Sequence, residues 1–175
     1  GGSSIACVTL TPSARASAAE TSTCTDAMCD YGAAGTVTTG QVLTADAATG
    51  ITVDTTVAST DATVSGAGNI DIDEMDAITL TDVDTANGSI TIDAGGTITA
   101  TDVVSTTDAE ANDIALTTTG VGSNIAVVTI TAGAGAAADV TLNASDASTD
   151  DGSAGTAITG QVPTADAATG IPVET

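Results

Sequence analysis

NIDIDEMDAITLTDV (residues 69–83) is followed by SITIDAGGTITATDV (residues 89–103) at an offset of 20 (89 − 69). The offset sets Ile70 on Ile90, Ile72 on Ile92, Asp73 on Asp93 and Ile78 on Ile98. It also sets Thr79, Thr81, Asp82 and Val83 on Thr99, Thr101, Asp102 and Val103. Within each stretch aliphatic residues tend to fall at every second position, with Asp, Thr or Ala between them. Such alternation makes a strand with one buried face and one wet face. The pattern runs outward in both directions, through Ile51/Val53 on one side and Ile114/Leu116, Val128/Ile130 and Val140/Leu142 on the other. Between the strands lie GAGN (66–69), TANGS (85–89) and DAGG (93–96), whose Gly and Asn accept the backbone angles of tight turns. A short-strand unit of this size cannot bury its own apolar face, but stacking on the next unit does so. The stretch therefore predicts an all-β fold, a parallel β-solenoid with coils of about 20 residues. A β-sandwich filament subunit is the alternative.

A longer period encloses the short one. Residues 152–175 repeat residues 32–55 at a displacement of 120 (152 − 32), with 18 of 24 positions identical. GTVTTGQVLTADAATGITVDT returns as GTAITGQVPTADAATGIPVET. Three regions follow. Residues 1–31 hold all three cysteines, Arg15 and Tyr31 and lack the alternation, so they read as a cap or joining arm. Residues 32–155 read as the solenoid repeat unit, with polar loops at 104–113 and 143–157. Residues 156–175 read as the start of a second copy, serving as cap or docking strand. The second copy exchanges Leu43 for Pro163 and Thr52 for Pro172. Proline cannot donate to a ladder and belongs at edges or strand starts. Pro163, Ile171, Pro172 and Val173 are thus the candidate docking residues, and the expected partner is another copy of the chain, joined head to tail. One and a half repeats read as a unit built to continue.

Composition narrows the function. The chain of 175 residues has no Phe, Trp, His or Lys and a single Tyr. A wide globular core usually needs aromatics, whereas a solenoid one or two side chains across does not. Disorder is disfavoured by the regular aliphatic alternation and a positive mean hydropathy. One Arg stands against 23 Asp and Glu, a formal net charge of −22, which repels nucleic acid and anionic lipid. No apolar run is long enough to insert in a membrane. The small residues of IACVTLTPSARASAA (5–19) resemble a signal-cleavage region, although the apolar run is short. Cys7, Cys24 and Cys29 suggest one disulfide and an oxidising, extracellular setting, with the pairing left open. Zinc fits poorly, since three thiolates lack a fourth ligand and the chain has no His.

Little here supports catalysis. General acid–base chemistry near neutral pH recruits His, Lys, Cys or a tuned carboxylate. Paired acids such as Asp71/Asp73 or Asp82/Asp84 could hydrolyse polysaccharide on a β-helix, but cationic and aromatic groups to hold a sugar are missing outside residues 1–31, so the chain reads as no enzyme. Cations are the better expectation. Stacked coils bring Asp73 beside Asp93 and Asp82 beside Asp102, about 4.8 Å apart, and calcium suits clustered carboxylates. Asp71, Asp73, Asp82, Asp84, Asp93 and Asp102 are the candidate ligands, without the EF-hand or β-roll spacing. Thr79/Thr99 and Thr81/Thr101 form a Thr-x-Thr array of the kind that binds ice, although Thr is also an ordinary strand residue. Asn87-Gly88-Ser89 and Asn143-Ala144-Ser145 are sequons in expected turns.

Residues 69–120 and 128–145, above all SITIDAGGTITATDV and DVTLNA, resemble the β-strand-repeat regions of large bacterial surface proteins, the filamentous-haemagglutinin-like adhesins. The resemblance implies secretion, a right-handed parallel β-helix and a structural or adhesive role, and it supplies no catalytic residues. The reading of the whole is a non-enzymatic extracellular protein, the subunit of a fibre or stalk. The alternative is a calcium-stabilised adhesin domain with a surface or glycan ligand; ice binding ranks last.

Overall fold

The computed structural model describes residues 20–23, 29–30, 37–135, 137–146, 148–150 and 157–167, and the side chains of 37–135, 137–146 and 158–160. The described residues contain no helix. In chain order the strands are β1 (Glu20–Thr23), β2 (Cys29–Asp30), β3 (Val37–Ala47), β4 (Ile51–Ala67), β5 (Ile70–Glu74) and β6 (Ile78–Asn87). Then come β7 (Ile90–Ala94), β8 (Ile98–Ala100), β9 (Val103–Ser105), β10 (Ile114–Thr118) and β11 (Ile125–Val127). The last are β12 (Thr129–Ala132), β13 (Asp139–Ala144), β14 (Ser148–Asp150), β15 (Ala157–Thr159) and β16 (Gln161–Ala167). All pairings are parallel, each strand lying on one from the neighbouring coil. This is the expected β-solenoid.

Three faces carry the stack. The first holds β2, the start of β4, β5, β7, β10, β13 and β16. The second holds the start of β6, then β8, β11 and β14. The third holds the end of β6, then β9, β12 and β15. The long strands β3 and β4 bend across more than one face. Inside run the aliphatic ladders: Ile51–Ile70–Ile90–Ile114–Val140, Val53–Ile72–Ile92–Leu116–Leu142 and Ile78–Ile98–Ile125, all buried. Each such side chain stabilises the stack by about 1.5–3 kcal/mol.

Coil length grows along the chain. The step from Ile51 to Ile70 is 19 (70 − 51), and that from Ile70 to Ile90 is 20 (90 − 70). Ile90 to Ile114 is 24 (114 − 90) and Ile114 to Val140 is 26 (140 − 114). The ladders stay in register because the extra residues go to corners. Those corners are tied down by carboxylates: the N–H groups of Ala137 and Ala138 donate to Asp108 Oδ1 at 3.0 and 3.2 Å, and that of Asp139 to Asp113 Oδ1 at 2.9 Å. Gly133, at φ +67°, lies so near Asp108 that an added Cβ would come within 2.6 Å of its Cα. Three boundaries differ from the sequence reading, the first being that Val104 and Ser105 belong to β9, so the loop expected over 104–113 starts later. Asn143 and Ala144 complete β13, and Ser148–Asp150 form β14, so the expected loop over 143–157 is shorter. The alternation begun at Val140 and Leu142 carries on through Ala144, extending the strand. At the other end, β1 and β2 already stack on β3 and β4 within the segment set apart as a cap.

Candidate functional site

Strand parity decides which acids meet water. On the first face Asp54, Asp73 and Asp93 stand in register, one per coil, and Thr117 and Asn143 continue the row. On the third face Asp61 pairs with Asp82, and Asp102 follows one coil on, just before the paired Val83 and Val103. The expected juxtapositions of Asp73 with Asp93 and of Asp82 with Asp102 are the ones found. Asp71 is different, lying between Thr52 and Thr91, as is Asp84, between Thr63 and Val104.

Crowding of like charge shows in the acidities. Partial burial, then Asp93 and Asp54, holds the Asp71 carboxyl above the usual carboxylate range. Asp73 is raised by burial and by Asp71, Asp93 and Asp54, and Asp61 by burial and by Asp82 and Asp46. Asp84 is raised by burial and by Asp82, Asp61 and Asp102, against a hydrogen bond from Thr63 Oγ1 at 3.0 Å. Asp102 Oδ1 is buried without a hydrogen-bond partner.

Glu74 does not stand out in the sequence, although parity carries the signal. In IDIDE the glutamate shares its phase with Ile70 and Ile72, so it faces inward and is only 4% exposed. Its Oε2 accepts from Thr55 Oγ1 at 2.7 Å and from the Val57 N–H at 3.0 Å, and its Oε1 from the Asp76 N–H at 3.1 Å. Burial raises its pKa, and these donors partly oppose the rise. The carboxylate thereby joins neighbouring coils at a corner. Beside it runs an open groove of about 520 Å³ lined by Asp54, Asp73, Glu74 and Asp93, with the exposed Val37 and Met75 along it.

Among the described residues no three His, Cys, Asp or Glu side chains converge to hold a metal ion. Calcium takes six to eight oxygens, whereas these rows offer one carboxylate per coil. They can concentrate cations along a face.

The other candidates are scattered. Asn87 is the exposed last residue of β6, and its Oδ1 accepts from Asn112 Nδ2 at 2.9 Å. Asn143 is exposed on β13, not in the turn expected for it. Thr79 and Thr99 stack in register, but the row continues into Ala126 before reaching Thr149. Thr81 and Thr101 are exposed beyond the second-face strands. Cys29 opens β2 opposite Ile51; Cys7, Cys24, Ile171, Pro172 and Val173 lie outside the described residues. Pro163 lies in β16 at an irregularity. Gln161 pairs with Asp139 and Thr164 with Thr141, so Val162 and Pro163 together oppose Val140 in a β-bulge. No helix among the described residues is long and apolar enough to cross a membrane. No family model, curated protein or solved structure matches the chain.

Proposed function

We propose that the chain is a non-enzymatic structural protein of the cell exterior, a solenoid subunit that stacks end to end into a fibre. The observation that carries this reading is the one-sided pairing at both ends of the described stack. Among the described residues, β1 and β2 at one end and β14, β15 and β16 at the other pair on one side only. An uncovered strand presents a row of free N–H and C=O groups that templates further pairing. Because every strand is parallel, the two ends are complementary rather than alike, and such heterologous contacts build open filaments. The cysteines and the resemblance to surface-protein repeats support an exterior location. Negative-stain imaging with sedimentation, in calcium and in EDTA, tests the reading. Filaments one solenoid wide are expected; a chain that stays monomeric at high concentration in both buffers sinks it.

The stacked Asp54, Asp73 and Asp93 favour a second reading, a calcium-stabilised adhesin domain with a surface or glycan ligand. It predicts a monomer whose melting temperature rises with calcium and not with sodium of equal ionic strength.

A further inference from the structure

The third-face ladder ends in an uncovered residue. Ala45, Ala62, Val83, Val103 and Ile130 are paired coil on coil and fully buried, and Ile158 continues them in register yet is 40% exposed. Among the described residues no strand pairs with β15 on its other side. At the opposite end, Ser22 of β1 occupies the first register position of the same ladder, through its pairing with Ala45. The first face behaves alike: Asp30 pairs with Thr52, and the line runs through Asp71, Thr91, Ala115 and Thr141 to Thr164.

We infer that the side of the stack left open by β14, β15 and β16 among the described residues is the seat of a second copy of this chain, docked in phase, with β2 of the newcomer on β16 and its β1 on β15. The inference rests on the end-to-end reading above and adds the face-to-face phase and the residue register. The occupant is a second copy because the ladders between coils are the interface already seen six times over along this line, and the first described strands of the chain are the ones that continue it. In-phase seating brings Ser22 over Ile158, Asp30 over Thr164 and Thr23 over Thr159. It also sets Glu20, which pairs with Leu43, over Asp150 at the far end of the second-face line.

Cross-linking between chains tests the phase. In the full chain with Cys7, Cys24 and Cys29 changed to Ser, two in-phase pairs are introduced separately: Asp30→Cys with Thr164→Cys, and Thr23→Cys with Thr159→Cys. A third pair, Thr21→Cys with Thr164→Cys, reports a joint rotated by one face. Circular dichroism shows that each variant folds, and sedimentation shows whether it polymerises. Under mild oxidation in calcium, both in-phase pairs are expected to give a ladder of disulfide-linked multimers that reduction collapses, and the rotated pair none. Polymers that cross-link only through the rotated pair, or through none of the three, overturn the phase and leave the fibre standing. Folded chains that remain monomeric and unlinked overturn the fibre and the phase with it.

Discussion

The two copies of the long repeat have almost the same residues and are built into different places. In the first, Val37–Ala47 is one continuous strand whose pairing with β4 runs regularly from Gly40 on Val57 to Ala47 on Val64. In the second, the corresponding residues are divided between β15 on the third face and β16 on the first, with Gly160 between them at φ +157°. Ala45 thus pairs with Ala62 and its counterpart Ala165 with Leu142, on another face. The difference teaches that alternation alone does not choose a face. All three faces ask for the same in-and-out pattern, so TADA fits any of them, and the lengths of the intervening corners decide which it meets. A displacement of 120 (152 − 32) amounts to no whole number of coils here, because the steps lengthen from 19 (70 − 51) to 26 (140 − 114).

Exchanging the residue that differs between the copies breaks this equivalence most sharply. Leu43 is 1% exposed and lies in a strand paired on both sides, by β1 and β4. Its N–H therefore donates whichever way it points. Leu43→Pro removes that donor and replaces a branched buried side chain with a ring tied to the backbone that no longer fills the same space, for a combined loss on the order of 3–5 kcal/mol. Urea unfolding followed by circular dichroism reads the change. A loss below about 1 kcal/mol contradicts the regular ladder assigned to the first copy.

How much of this the residues disclose varies along the chain. From Ile70 to Val103 the step is a constant 20 (90 − 70 and 103 − 83), and the offset read from the sequence reproduces the pairs Ile70–Ile90, Ile78–Ile98 and Val83–Val103. Beyond Ile90 the coils lengthen and no constant offset aligns them. Ile114 and Val140 are legible as strand residues but not as successors of Ile90. Corner loops carry no periodicity, and their lengths are absorbed by contacts such as Asp108 with the Ala137 and Ala138 N–H groups. At the candidate site the stacked aspartates follow from the same offset. Asp54 and Asp61, which join the rows, escape it because their steps are 19 (73 − 54) and 21 (82 − 61). Glu74 is hidden by its acidic neighbours, since charge suggests the surface where parity requires the interior.

A smaller effect separates the two ends by charge. The first copy adjoins the crowded acids, with Asp46 acting on Asp61 and Asp54 on Asp71 and Asp73. Toward the second copy the first-face row changes to Thr117 and Asn143. A carboxyl whose pKa is higher folded than unfolded binds more protons when folded. Its stabilising contribution is complete below the ordinary range, near about pH 4, and fades as pH rises through the raised value. In low salt the melting temperature is therefore expected to be higher in mild acid than at neutrality, and added salt should shrink the gap. Hydrogen exchange, corrected for its intrinsic pH dependence, should show the gain in β3–β5 and little in β13–β16. At neutral pH Asp73→Asn should stabilise by a few tenths to about 1 kcal/mol. Equal gains at both ends, or melting that rises with pH, would count against the charge crowding.

The mildest test reverses the first. Pro163 stands in a bulge, where two residues face Val140 and one of them is already outside the ladder, a place that accommodates a residue without a donor. The bulge also preserves phase: without it Thr164 would fall opposite Leu142, and every later residue would turn to the wrong side. Pro163→Leu restores the residue of the first copy without restoring its surroundings, because the surplus residue between Gln161 and Thr164 remains. Its effect is therefore expected to stay within about 0.5 kcal/mol, measured beside Leu43→Pro in the same urea titration. A gain above about 2 kcal/mol would mean that position 163 belongs to a regular ladder as Leu43 does. Two equal and opposite changes would make the copies interchangeable. A large loss at Leu43 with near silence at Pro163 would show that corner length, and not the side chain, sets their different places.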